Sequence, residues 1–144
     1  MQDDWFPDLS DRHRQGIRTT LAILDESLCT FEQWAKGREI QSVLYTEKNR
    51  LSPLQREMLL AQTSKIREML LEIKKTLKIE AKSSDAVSSI WAHCASLWVN
   101  LVELGSTKLI RYGELPTGFA EYLDPKIKEL VASINAISEA IRKE

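Results

Sequence analysis

The chain has 144 residues, 43% of them hydrophobic and 28% charged, with a net charge of −1. That is the length and composition of one folded globular domain, and it excludes a disordered chain. The near-neutral balance leaves no basic excess to hold a phosphate backbone, so no nucleic-acid partner is expected.

Cys29 and Cys94 are too few for a disulfide framework, and with His13 and His93 they make no zinc spacing. No cofactor and no metal are therefore expected. The acidic start Met-Gln-Asp-Asp-Trp-Phe-Pro lacks the apolar core of a signal peptide. Nothing reaches the roughly 18 unbroken apolar residues of a membrane helix. The expected location is a reducing cytoplasm, with no membrane partner.

In chain order, residues 1–9 form an arm in which Trp5 and Phe6 precede Pro7. Adjacent aromatics just outside a helix are expected to fold back over the end of a core. Helix 1 begins at Asp8 or Ser10, either of which can cap free N–H groups. Its apolar stripe is Ile17, Leu21, Leu24, Leu28, Phe31 and Ala35, alternating steps of four and three that mark one helix face. Gly37 weakens the helix. Residues 36–51 connect it to helix 2. Within that connector, Ile40, Val43 and Leu44 resume a helical spacing, which predicts a short extra helix over 38–48, with a kinked extension of helix 1 as the other reading.

Helix 2 has the clearest start in the chain. Ser52 is the N-cap, Pro53 takes the first helical position and Gln55 completes a capping box. Leu59, Ile66, Leu70, Ile73 and Leu77 form its stripe, with Thr63 in register, and the remainder is largely charged.

The third helix is predicted over 84–112. From Ala86 to Val102 it contains no Asp, Glu, Lys or Arg. Val87, Ile90, Cys94, Leu97, Leu101 and Leu104 make the stripe, and Trp91, Trp98 and Gly105 lie beside it. Gly113 suits a helix stop. Residues 113–124 form a second connector, and Asp124-Pro125 opens the last helix by the logic of Ser52-Pro53. Its stripe is Ile127, Leu130, Ile134, Ile137 and Ile141.

Four helices of matched length with short links predict an all-α fold. The expected architecture is an antiparallel up-down-up-down four-helix bundle, with a short extra helix between helices 1 and 2, in a single domain spanning 1–144.

Chemistry is sparse. The Glu-x-x-His pairs of di-metal bundles are absent, as are phosphate loops and nucleophile elbows. His93 shares a polar line with Ser89, Ser96, Asn100 and Glu103, but Glu103 is almost three turns away and cannot orient it. The bland reading, a solvated helix edge, outweighs a catalytic one. Trp91, His93, Trp98 and Asn100 define a ligand pocket in a second reading, in which the protein is a small-molecule sensor. The basic runs Arg12 to Arg18 and Lys74 to Lys82 are interleaved with carboxylates and read as solvated faces.

Helix 3 carries the sharper inference. Ser88, Ala92, Ala95, Ser96 and Val99 are small and uncharged where an outward face is normally charged. A second surface is expected to cover them, most simply helix 3 of an identical subunit about a two-fold axis, with the 38–48 segment or the N-terminal arm of the same chain as the competing cover and an unidentified protein partner as the third. The sequence thus points to a non-enzymatic helical protein that acts through protein contacts and forms a homodimer. The sensor reading stands second, and an enzyme built on His93 third.

Overall fold

A computed structural model describes residues 6–142. Trp5, and with it the reading of Trp5 as a cover for the core, lies outside the described residues. Among the described residues the protein is all-α apart from one two-residue-stranded hairpin. It forms two compact units, within residues 1–82 and 83–144. Among the described residues no helix is long and apolar enough to cross a membrane.

The first unit pairs α1 (Asp11–Ala35) with α2 (Pro53–Leu77). Ser10 caps α1: its hydroxyl accepts the His13 N–H at 3.1 Å, while the His13 ring accepts the Ser10 N–H at 3.3 Å. The far end of α1 closes with a Gly-based stop. Gly37, at φ 98°, donates to the Trp34 carbonyl and Arg38 to the Gln33 carbonyl, both at 3.0 Å. These are the two bonds of a Schellman motif, so Gly37 terminates the helix rather than merely weakening it. At the start of α2 the Gln55 N–H donates to the Ser52 hydroxyl at 3.1 Å, and the Ser52 N–H donates to the Gln55 side chain at 2.9 Å.

The seam between the helices follows the apolar stripes. Leu28 and Ala35 of α1 are buried, as is Thr63 of α2. Two arginines tie the pair across the seam. Arg14 Nε, in the first turn of α1, donates to the Leu77 carbonyl at 2.8 Å, so the start of one helix lies beside the end of the other. Arg67 of α2 reaches Glu32 at 2.6 Å and Asp25 at 3.5 Å on α1.

The connector is not helical. Residues 40–47 form an antiparallel hairpin of β1 (Ile40–Gln41) and β2 (Thr46–Glu47), with Ile40 opposite Glu47 and Gln41 opposite Thr46. The Ser42 N–H donates to the Tyr45 carbonyl at 2.8 Å and closes the turn. This corrects the short helix expected over 38–48. After the Schellman stop the chain leaves the helix axis, and eight residues cannot repay the entropy of a new helical nucleus. Side-chain bonds to α1 stabilise the extended form instead.

The second unit pairs α3 (Ala86–Val102) with α5 (Phe119–Arg142). Asp85 caps α3, its carboxylate accepting the Val87 N–H at 3.2 Å. The helix expected to run through 112 stops ten residues earlier. Past Gly105 the chain turns into the one-turn α4 (Ser106–Leu109), followed by a 3-10 turn at Ile110–Tyr112.

The last helix also departs from expectation. It begins at Phe119, with Pro125 inside it. Asp124 does not cap it. Its carboxylate accepts the Ser106 hydroxyl at 2.6 Å and the Ser106 N–H at 2.9 Å, satisfying the start of α4. Those two bonds, the hydroxyl first, hold the Asp124 carboxyl below the usual carboxylate range. Freed of the capping role, the backbone of α5 extends back to Gly118, whose carbonyl accepts the Tyr122 N–H. Cys94 of α3 and Ile127 of α5 are the buried side chains of this unit.

These burial differences have a direct energetic expression. Leu28 is 1% exposed and Leu44, at the hairpin tip, is 99% exposed. Leu28→Ala is expected to cost about 3 kcal/mol of stability in urea unfolding. Leu44→Ala should stay within about 0.5 kcal/mol of the parent.

Candidate functional site

Two surfaces stand out, one in each unit. The first is α3. Of its 17 residues, Cys94 is buried, Leu101 is partly buried and the others are exposed. The cause is geometric. One neighbouring helix covers one stripe, and α3 has apolar residues on more than one stripe. Ile90, Trp91, Leu97, Trp98, Val99 and Val102 all remain more than one-third exposed. The adjacent α5 adds Leu130 and Ile137, each about half exposed.

The expected interface residues Ser88, Ala92, Ala95, Ser96 and Val99 are all exposed on this helix. The residues of the expected ligand pocket, Trp91, His93, Trp98 and Asn100, occupy exposed positions on the same helix. Trp91 is turned toward α5, where its indole N–H donates to the Ser138 carbonyl at 3.4 Å and the Arg142 guanidinium lies 5.5 Å from its ring centroid. Trp98, His93 and Asn100 are exposed. No hydrogen bond orients the His93 ring among the described residues. The described residues contain no group of three His, Cys, Asp or Glu side chains able to hold a metal ion.

The second surface is the connector of the first unit, and it is built around Glu47. The Trp34 indole N–H donates to one Glu47 oxygen at 2.8 Å, and Arg38 Nε pairs with the same oxygen at 3.0 Å. The Tyr45 hydroxyl donates to the other oxygen at 3.2 Å. Behind this group Phe31 stacks on Trp34, and the Arg38 guanidinium lies 5.9 Å from the Trp34 ring centroid. Asn49 completes the base: its amide donates to the carbonyls of Trp34, at 2.6 Å, and Arg38, at 3.1 Å. The last turn of α1 thereby gains a side-chain donor for one of its terminal carbonyls.

This scaffold holds Val43 and Leu44 out in solvent at 93% and 99% exposure. The sequence pattern does not reveal it, because Trp34 lies off the main apolar stripe of α1 and Asn49 is of a type common in any turn. The available signal was a Trp, an Arg, a Glu and an Asn gathered around one short connector.

No protein-family model, no curated protein and no solved structure matches this chain.

Glu47 gives the connector a pH signature. The hydrogen bond from Trp34, with the charge of Arg38 and the Tyr45 hydroxyl, lowers its pKa from the ordinary value of 4.5, against an opposing effect of burial. A lowered folded-state value means that the ionised form favours the docked hairpin. The contribution is complete above the ordinary glutamate value and is lost as pH falls through the lowered one. The Trp34 indole N–H resonance should therefore hold its hydrogen-bonded shift on acidification past 4.5 and move only at lower pH. Glu47→Gln should flatten that titration. A midpoint at or above the ordinary value would contradict the arrangement.

Proposed function

We propose that this is a non-enzymatic helical protein that acts through protein contacts, first of all with a second copy of itself. The single observation that carries the reading is α3. A 17-residue helix without one charged side chain leaves nearly its whole length exposed. Soluble chains rarely leave a contiguous apolar surface of that kind bare.

The proposed cover is α3 of an identical subunit. Ser88, Ala92, Ala95, Ser96 and Val99 would let two helix backbones approach closely, and the face carries no charge to repel its own image about a two-fold axis. At 1.5 Å per residue the helix offers a contact strip about 25 Å long. We propose further that the two helical pairs of each chain come together as an antiparallel up-down-up-down four-helix bundle in a single domain. Exposed apolar side chains on both units support this: Ile23, Met58, Met69 and Leu71 in the first, Leu130 and Ile137 in the second. Two free thiols, one of them exposed, agree with a reducing cytoplasm. The sensor reading is weaker, because Trp91 already spends its indole N–H on Ser138.

Light scattering on a sizing column provides the test. The expected mass is twice the 16.5 kDa chain. Ser96→Glu or Val99→Glu should return it to a single chain while the far-ultraviolet helix signal persists, since both side chains are exposed. A dimer that survives both substitutions would sink the placement on α3, and a monomeric parent would sink the dimer itself.

A further inference from the structure

We propose that the β1–β2 hairpin is a membrane-surface anchor, its tip residues Val43 and Leu44 entering the headgroup region of an anionic bilayer. This goes beyond the proposed self-association, uses a different unit of the chain and does not depend on it.

Val43 and Leu44 are the most exposed large apolar side chains among the described residues, and Tyr45 beside them is 56% exposed. They are not on a floppy loop. Glu47 locks β2 to Trp34 and Arg38, and Asn49 locks the strand exit to the end of α1. A rigid tip has already lost the conformational freedom that a flexible loop would lose on binding.

The order of chemistry along the hairpin matches the depth order of a bilayer surface. Two aliphatic side chains lead. A tyrosine follows, the residue type enriched where headgroups meet hydrocarbon. Cations come last. Lys36, Lys48 and Arg50 are exposed at the base of the hairpin. At about 3.3 Å per strand residue, Lys48 sits about 13 Å behind Leu44, within reach of lipid phosphates once the tip has entered.

The opposing carboxylates are Glu39 and Glu47. Glu47 is neutralised by Arg38 at 3.0 Å, and Glu39, which accepts the Asn49 N–H at 3.2 Å, is left against three cations. A chain of net charge −1 thus presents a locally positive collar behind an apolar point, the complement of an anionic lipid surface. An apolar slot on another protein is the competing destination. Valine and leucine are under-represented among the anchoring residues of protein interfaces, which favours lipid. Two aliphatic side chains give shallow, reversible and salt-sensitive attachment rather than permanent anchorage.

Co-sedimentation of the full chain with vesicles tests the assignment. Phosphatidylcholine vesicles are compared with a phosphatidylcholine–phosphatidylserine mixture at low ionic strength. The parent should pellet with the mixture and far less with phosphatidylcholine alone. Val43→Asp combined with Leu44→Asp should reduce binding at least about tenfold, given the apolar area removed, with the helix signal unchanged. Leu44→Ser should show a smaller loss, and Lys48→Glu with Arg50→Glu a loss confined to the anionic mixture. A parent that ignores the mixed vesicles overturns the proposal and moves the tip to a protein pocket. Undiminished binding of the double aspartate variant overturns it equally, and assigns the lipid contact to another surface.

Discussion

Two helices laid side by side can hide one stripe each, and the whole structure follows from that limit. In the first unit the buried positions are Leu28, Ala35 and Thr63; in the second, Cys94 and Ile127. Everything apolar beyond those seams is left facing outward. On α2 the surplus is modest and sits among lysines and glutamates. On α3 it is nearly the whole helix. The asymmetry between the units is therefore one of extent and of charge together. Both expose methyl groups, but α3 does so along nearly its whole length and without charged side chains between them.

Polar ties fix what such narrow seams cannot. Apolar contact along two cylinders tolerates sliding and rotation, whereas a bond between a named donor and acceptor does not. Arg14 pins the open end of the α1–α2 pair to the Leu77 carbonyl. Arg67 spans Asp25 and Glu32 near its middle. Asp124 binds α4 to α5 through Ser106. The Arg67 ion pairs are partly exposed and add little stability on their own, up to about 1 kcal/mol each, and the Arg14 and Asp124 ties are hydrogen bonds whose net contribution is of the same order. Their contribution is register. Each selects one alignment of elements that apolar packing alone leaves nearly equivalent.

Much of this was legible in the sequence, and the errors share one cause. The stripes of α1 and α2, the Ser52-Pro53-Gln55 start and the uncharged run 86–102 are local patterns with a fixed period, and they appear in the structure where the pattern placed them. The hairpin was missed because strands of two residues have no measurable period. Its turn also carries Val43-Leu44 instead of the Asn-Gly that announces a tight hairpin. Neither tip residue adopts positive φ, so neither needed to be glycine or asparagine. Asp124 was misread for a related reason. A capping residue looks the same in sequence whether it serves the helix that follows it or one 18 residues earlier. Of the two candidate surfaces, α3 showed itself as an absence of charge, while the connector depended on side chains meeting across a turn.

The hairpin tip is insulated from the stability of the fold. Its strands are held by Glu47 and Asn49 from behind, while Val43 and Leu44 touch almost nothing. Folding consequently exerts no selection on the identity of those two side chains. In natural variants of this chain, buried positions such as Leu28 will be kept for packing whatever the protein does. Apolar residues retained at the tip, by contrast, would be a record of what the protein meets.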